Sequence, residues 1–135
     1  MQITPYVIFE GQCREAFTTY ARCLGGEVSF NRYGDMPQQD GQGPSQPADW
    51  IMHARLEAQG GVLMGSDGPE GGGPKDTVWV TVGLQDPAEA ERIFAELSDG
   101  GQVVMPIAQT FWAQRFGMLK DRFGVSWMIN CEGQR

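Results

Sequence analysis

Few side chains in this sequence are equipped for acid–base or metal chemistry. There is one histidine, His53, and there are three cysteines, Cys13, Cys23 and Cys131. An imidazole at 53 is a candidate general base or ligand-bonding group. No Ser, Cys or Asp stands close to it in sequence, so the competing reading is a strand residue satisfied by a neighbour. Arg115 lies between Trp112 and Phe116 and is the candidate for holding an anion or a carbonyl, because a guanidinium beside rings offers bidentate bonds and stacking. Its alternative is an ion pair with Asp121 or Glu57. Trp79, Trp112, Trp127 and Phe9 supply ring area. Singly each reads as sheet core or a dimer interface, and together they read as the wall of a ligand pocket. The cysteines have no adjacent base and are expected to be buried and inert. Tyr33 and Asp35 border a long Gly/Pro/Gln-rich segment, residues 34–49, that reads as a mobile linker or a lid over a site.

These residues need elements to position them. The stretch Thr110–Cys131 (TFWAQRFGMLKDRFGVSWMINC) holds two of the four Trp and three of the seven Phe. It reads as two antiparallel strands, Phe111–Lys120 and Val125–Cys131, turning at Gly124 where positive φ is cheap. Ile3–Glu10 reads as a strand, entered through Pro5. Ala16, Phe17, Tyr20, Ala21 and Leu24 recur at helical spacing across Cys13–Leu24, and Gly25-Gly26 ends that helix. Glu27–Tyr33 and Trp50–Gln59 alternate as strands, the latter with Met52, Ala54 and Leu56 on one face. Gly60-Gly61 turns the chain into Val62–Ser66. Asp67–Asp76 (DGPEGGGPKD) resembles a phosphate loop only in composition, since Pro74 removes a backbone donor beside Lys75; it reads as a flexible linker. Thr77–Val82 is a strand. Asp86-Pro87-Ala88-Glu89 opens a helix with N-cap, proline and acidic first turn, which Asp99-Gly100-Gly101 ends before the strand Gln102–Ile107.

The totals exclude several function classes. A net charge of −7 with no basic stripe argues against a nucleic-acid partner. No apolar run approaches the length that spans a bilayer, and MQITPYVIFEGQ lacks the basic start and cleavage site of a secretory signal. Three cysteines, an odd number, do not make a disulfide framework; Cys13 and Cys23 fall about 15 Å apart on one helix. A reducing cytoplasm is the expected compartment.

The chain repeats itself. Gly25-Gly26-Glu27-Val28 returns as Gly100-Gly101-Gln102-Val103, an offset of 75 (100 − 25), and Gly61-Val62 as Gly124-Val125, an offset of 63 (124 − 61). The longer first loop absorbs the difference of 12. One βαβββ unit is used twice, giving repeats at 1–67 and 77–135 joined by a linker at 68–76. The expected class is α+β, with mixed sheets enclosing a cavity.

The segments ITPYVIFEGQCREAFTTYARCLGGEV, RYGDMP, IMHARLEAQGGVLMGSD, DPAEAERIFAELSDGG and TFWAQRFGMLKDRFGVSWMIN together resemble the PhnB-like branch of the vicinal oxygen chelate superfamily. That superfamily includes glyoxalase I, fosfomycin and bleomycin resistance proteins and extradiol dioxygenases. The resemblance implies a glyoxalase-like fold and a homodimer. It also implies that superfamily enzymes hold a divalent ion on four cavity-facing strands, where it polarises adjacent substrate oxygens. Carried onto this sequence, the four ligand positions fall on Pro5, Gly65, Trp79 and Met128, which do not form a donor set for a hard ion. No metal and no cofactor is therefore expected; a displaced site using His53, Asp67 or a cysteine is the alternative. The expected function is binding of a small organic molecule without the usual metal, contacted by Phe9, His53, Trp79, Trp112, Arg115 and Met128. The alternatives are a glyoxalase-like lyase or isomerase, or related metal-assisted enzyme, with His53 as base, and a purely structural or interaction module.

Overall fold

The computed structural model describes residues 1–35, 46–75 and 77–132. They divide into two compact units, Met1–Gly73 and Pro74–Arg135. The first contains β1 (Tyr6–Phe9), α1 (Cys13–Leu24), β2 (Glu27–Arg32), β3 (Ile51–Ala58) and β4 (Gly61–Asp67). The second contains β5 (Trp79–Leu84), α2 (Pro87–Ser98), β6 (Gln102–Ala108), β7 (Ala113–Lys120) and β8 (Ser126–Glu132). The sheet orders are β1-β4-β3-β2 and β5-β8-β7-β6. In each, the first strand runs parallel to the last and the other pairs are antiparallel. The repeat read from the glycine pairs is thus a repeat of topology: α+β, two four-stranded mixed sheets, each carrying one helix.

The helices form where the sequence places an apolar stripe and a stop. On α1 the stripe Ala16, Phe17, Tyr20, Cys23 and Leu24 is buried, and Gly25 closes the helix in the left-handed region, its N–H bonding Ala21. On α2 Asp86 caps the N-terminus by accepting from Ala88 N at 3.0 Å, and Ala90, Ile93, Phe94 and Leu97 are buried.

The start of α1 has no local cap. Gln12 makes no side-chain cap bond. Asp67, at the end of β4, supplies the acceptor instead: its Oδ1 accepts from Gly11 N and Cys13 N, both at 2.9 Å, and its Oδ2 from Ile51 N at 2.9 Å. One buried carboxylate ties β1, α1 and β3 to β4. Asp121 does related work in the second unit, accepting from Phe123 N, Val125 N and Trp127 Nε1.

Three expectations are corrected. In β3 the buried residues are Ile51, Ala54 and Leu56, not Met52; the β2–β3 register shifts at Asn31/Arg32, which breaks the alternation. The first strand is shorter than Ile3–Glu10, and Ile3 is exposed. The linker expected at 68–76 is partly built structure: Pro69–Gly72 forms a 3₁₀ turn whose buried Gly71 lies on the backbone of Phe9. Residues 68–73 therefore belong to the first unit.

Candidate functional site

Each sheet has one face under its helix and one face free of it, and strand register decides which residues share a face. In the first unit a Cβ at Gly65 would stand 2.7 Å from the Phe17 ring of α1. Gly65 therefore faces the helix, as do its partners Val7 and Ala54. Phe9, two residues beyond Val7, lies on the same side. It is 1% exposed and packs edge-on against Phe17, with ring centroids 6.2 Å apart. Phe9 is core, a correction to its assignment as a pocket wall.

His53 lies opposite Asn31, with its ring 6.0 Å from that of Tyr6. Arg55 is bound by Glu57. At the β3–β4 turn a polar pocket of about 450 Å³ is lined by Glu27, Arg55, Glu57 and Gln59 among others. It contains none of the residues expected to contact a ligand. Tyr33 donates from its hydroxyl to the Asp67 carbonyl at 2.8 Å, and burial, Tyr6 and nearby carboxylates push its ionisation up. Asp35 is held by Arg32 at 2.9 Å, and that hydrogen-bonded guanidinium keeps its carboxyl below the usual range. Both pin the end of β2. Residues 36–45, most of the segment read as a linker or lid, lie outside the described residues.

In the second unit a Cβ at Gly117 would stand 2.6 Å from the Phe94 ring of α2, so Gly117 faces the helix. Arg115, two residues earlier, does too. Its Nε donates to Glu91 on α2 at 3.2 Å and its Nη1 to the Gln114 carbonyl at 2.7 Å. The pairing expected with Asp121 or Glu57 is corrected to Glu91, and the guanidinium stands on the opposite side of β7 from Phe116. Trp127 is 1% exposed and bonds Asp121 through its indole N–H at 2.9 Å. It too is core rather than pocket wall.

The helix-free face of this sheet is read as three rows across the strands. Trp79, Ser126, Lys120 and Gln102 form the first. Thr81, Met128, Met118 and Met105 form the second. Gly83, Asn130, Phe116 and Ala108 form the third. Trp112 extends the third row, its ring 5.4 Å from Phe116. Trp79, Trp112 and Met128, read from the sequence as ligand contacts, are thus brought onto one face. His53 lies on the other unit's sheet.

Asn130 carries the signal that sequence reasoning missed. Its Oδ1 is buried and, among the described residues, has no hydrogen-bond partner. A buried acceptor left unsatisfied costs about 1–3 kcal/mol. The cue available in the sequence was an Asn in mid-strand, where that residue is depleted, among apolar neighbours.

The donor set does not fit the superfamily's metal. Pro5 has no donor side chain, Gly65 points at α1, and Trp79 and Met128 offer an indole and a thioether. Asp67, the alternative, is already engaged by three backbone N–H groups. Burial first, then Asp67, pushes the Cys13 thiol up, away from the thiolate that binds metal. Among the described residues no three His, Cys, Asp or Glu side chains come together to hold an ion. None of the described helices is long and apolar enough to cross a membrane.

The family model described as 3-demethylubiquinone-9 3-methyltransferase matches residues 1–130. The chain belongs to that family. Relatives support it along nearly their whole length. Protein YjdN of Escherichia coli strain K12 is 35% identical over 144 residues, covering 100% of this chain and 98% of that protein. The crystal structure of protein PA1353 from Pseudomonas aeruginosa is 43% identical, covers 99% of each chain and superposes with a TM-score of 0.86. The Bacillus cereus PhnB protein, described as a putative 3-demethylubiquinone-9 3-methyltransferase, is 26% identical over 97% of this chain and 99% of its own, with a TM-score of 0.79. The fosfomycin resistance protein FosX of Listeria monocytogenes, 7% identical with a TM-score of 0.65 over 100% and 93% of the two chains, shares the fold alone. This PhnB-like chain therefore has a glyoxalase-like fold.

Proposed function

We propose that this PhnB-like protein binds a small organic molecule on the helix-free face of its second sheet, without the divalent ion of its superfamily. The observation that carries the reading is the row Met128–Met118–Met105 flanked by Trp79 on one side and by Phe116 and Trp112 on the other. Thioethers and rings on one helix-free face suit a flat apolar ligand. The non-ligating set Pro5, Gly65, Trp79 and Met128 supports a metal-independent mode. Arg115 has no part in it, since its guanidinium faces α2.

The protein acts, in this reading, as a cytoplasmic homodimer. The free, buried cysteines suit a reducing compartment, and the exposed Val103, Val104 and Phe111 supply apolar area for a second copy. Light scattering at micromolar concentration should return twice the chain mass.

Two measurements test the binding mode. Chelator treatment followed by saturating Mn²⁺, Ni²⁺ or Zn²⁺ should leave the melting temperature unchanged, because an ion held only by the folded state would raise it. Methyl-labelled methionine spectra should show Met105, Met118 and Met128 moving together when an aromatic fragment is added. A rise of several degrees with one stoichiometric metal, or fragment binding that leaves those three methyls unmoved, sinks the proposal.

A further inference from the structure

The Asn130 amide narrows the chemistry of the ligand, and this step rests on the binding face proposed above. Three observations meet at the third row. The Asn130 Oδ1 lacks a donor among the described residues. Its in-register neighbour on β5 is Gly83, where an added Cβ would meet no described atom within 4 Å. Adjacent strands are about 4.8 Å apart, so a molecule lying over Gly83 is within reach of the amide. The terminal torsion of an Asn is soft, and a swing about it turns the oxygen toward that space. On the other side of Asn130 stands Phe116, with the Trp112 ring against it.

Charge completes the picture. Arg115 lies beneath the sheet on Glu91, and Arg92 is bound by Glu89 and Glu96 on α2. Lys120 is in the row of Ser126, four residues along β8 from Asn130, roughly 13 Å away at the rise of a strand. The chain as a whole carries −7. None of these three cationic side chains stands beside the amide to receive a carboxylate or phosphonate.

We infer that the ligand is a neutral or cationic molecule with a flat apolar body that donates an N–H or O–H to the Asn130 side chain over Gly83. The rings and thioethers take the body, the amide selects the donor, and the acidic field excludes anions. An unmet acceptor at the floor of an apolar site discriminates strongly against analogues that lack the donor.

Four probes separate these features: indole, 1-methylindole, tryptamine and indole-3-acetate, titrated against the full chain with methyl-labelled methionine as reporter. Indole should bind at least about fivefold tighter than 1-methylindole, tryptamine at least as tightly as indole, and indole-3-acetate most weakly. Asn130→Leu should erase the preference for indole over 1-methylindole while still binding the latter. Gly83→Val, which enters open space and leaves the sheet intact, should weaken indole and tryptamine tenfold or more. Equal affinities for indole and 1-methylindole, tightest binding by indole-3-acetate, or an unaffected Gly83→Val protein would overturn the donor assignment and leave the binding face standing. Methionine methyls unmoved by all four probes would overturn both.

Discussion

Replacing Asp67 with alanine tests whether one side chain organises the first unit. Asp67 is 1% exposed, and its two oxygens accept three bonds of 2.9 Å from Gly11 N, Cys13 N and Ile51 N. Alanine leaves those three N–H groups without an acceptor. Two of them lie at the start of α1, where Gln12 provides no cap. Hydrogen bonds to a charged group contribute about 1.5–3 kcal/mol each, and partial relaxation or entering water recovers some of the loss. The net cost should be about 3–5 kcal/mol, a large share of the ~5–15 kcal/mol of a typical domain. At about 3–4 °C per kcal/mol for a chain of this size, the melting temperature should fall by about 10–20 °C. Asp67→Asn should cost less, since its carbonyl can keep two of the bonds while its NH₂ opposes the third donor. Urea unfolding followed by circular dichroism gives the free energies, and amide hydrogen exchange at Gly11, Cys13 and Ile51 shows whether the loss is local to those groups. A loss below about 1 kcal/mol for Asp67→Ala, or exchange unchanged at the three amides, refutes the assignment.

Three further outcomes follow from the same geometry. Gly65→Ala should destabilise by about 1–3 kcal/mol, because the new Cβ would sit 2.6 Å from the Val7 carbonyl and 2.7 Å from Phe17; Gly83→Ala, entering open space, should be neutral or stabilising by up to about 1 kcal/mol, and paired melts decide it. Arg115→Gln should change stability by less than about 1 kcal/mol, since the Glu91 pair is partly exposed, and should leave fragment affinity untouched; a lost affinity would return Arg115 to the site. Burial raises the Cys13 thiol, with Asp67 adding to it, and burial raises Cys131 as well. Native protein at pH 8 should therefore resist iodoacetamide at both until unfolded. The unfolded chain ionises these thiols first, so stability is intact below the ordinary thiol range and falls as pH rises through it, by up to about 1.4 kcal/mol per pH unit per thiol. Urea midpoints at pH 7.5 and 9.5, with Cys13→Ala as control, measure that slope.

What could be read from the sequence, and what could not, divides by range. The helix Cys13–Leu24 and the capped start at Asp86-Pro87 were legible because stripe, cap and stop lie within a few turns of one another. The duplication was legible because the glycine pairs mark the same corner twice. Which face each residue took was harder. Arg115 was placed with Phe116 by adjacency, although the two-residue period of a strand sends neighbours to opposite sides; the irregular register between Ala113 and Arg115 hid the relation to Trp112 as well. Phe9 joined the core because β1 pairs with β4 in the register that turns Val7 and Phe9 toward α1, a pairing made across more than fifty residues. Asp67 looked like a spare carboxylate because the amides it satisfies are 54 and 56 residues away. The same separation explains Asn130. Nothing beside it in the chain announces an unmet acceptor; it becomes conspicuous only when β5 sets Gly83 on one side and β7 sets Phe116 on the other. Asp67 found its partners at long range, and the Asn130 oxygen, which has none among the described residues, takes its place in a row with Gly83 and Phe116 only through pairings of the same kind.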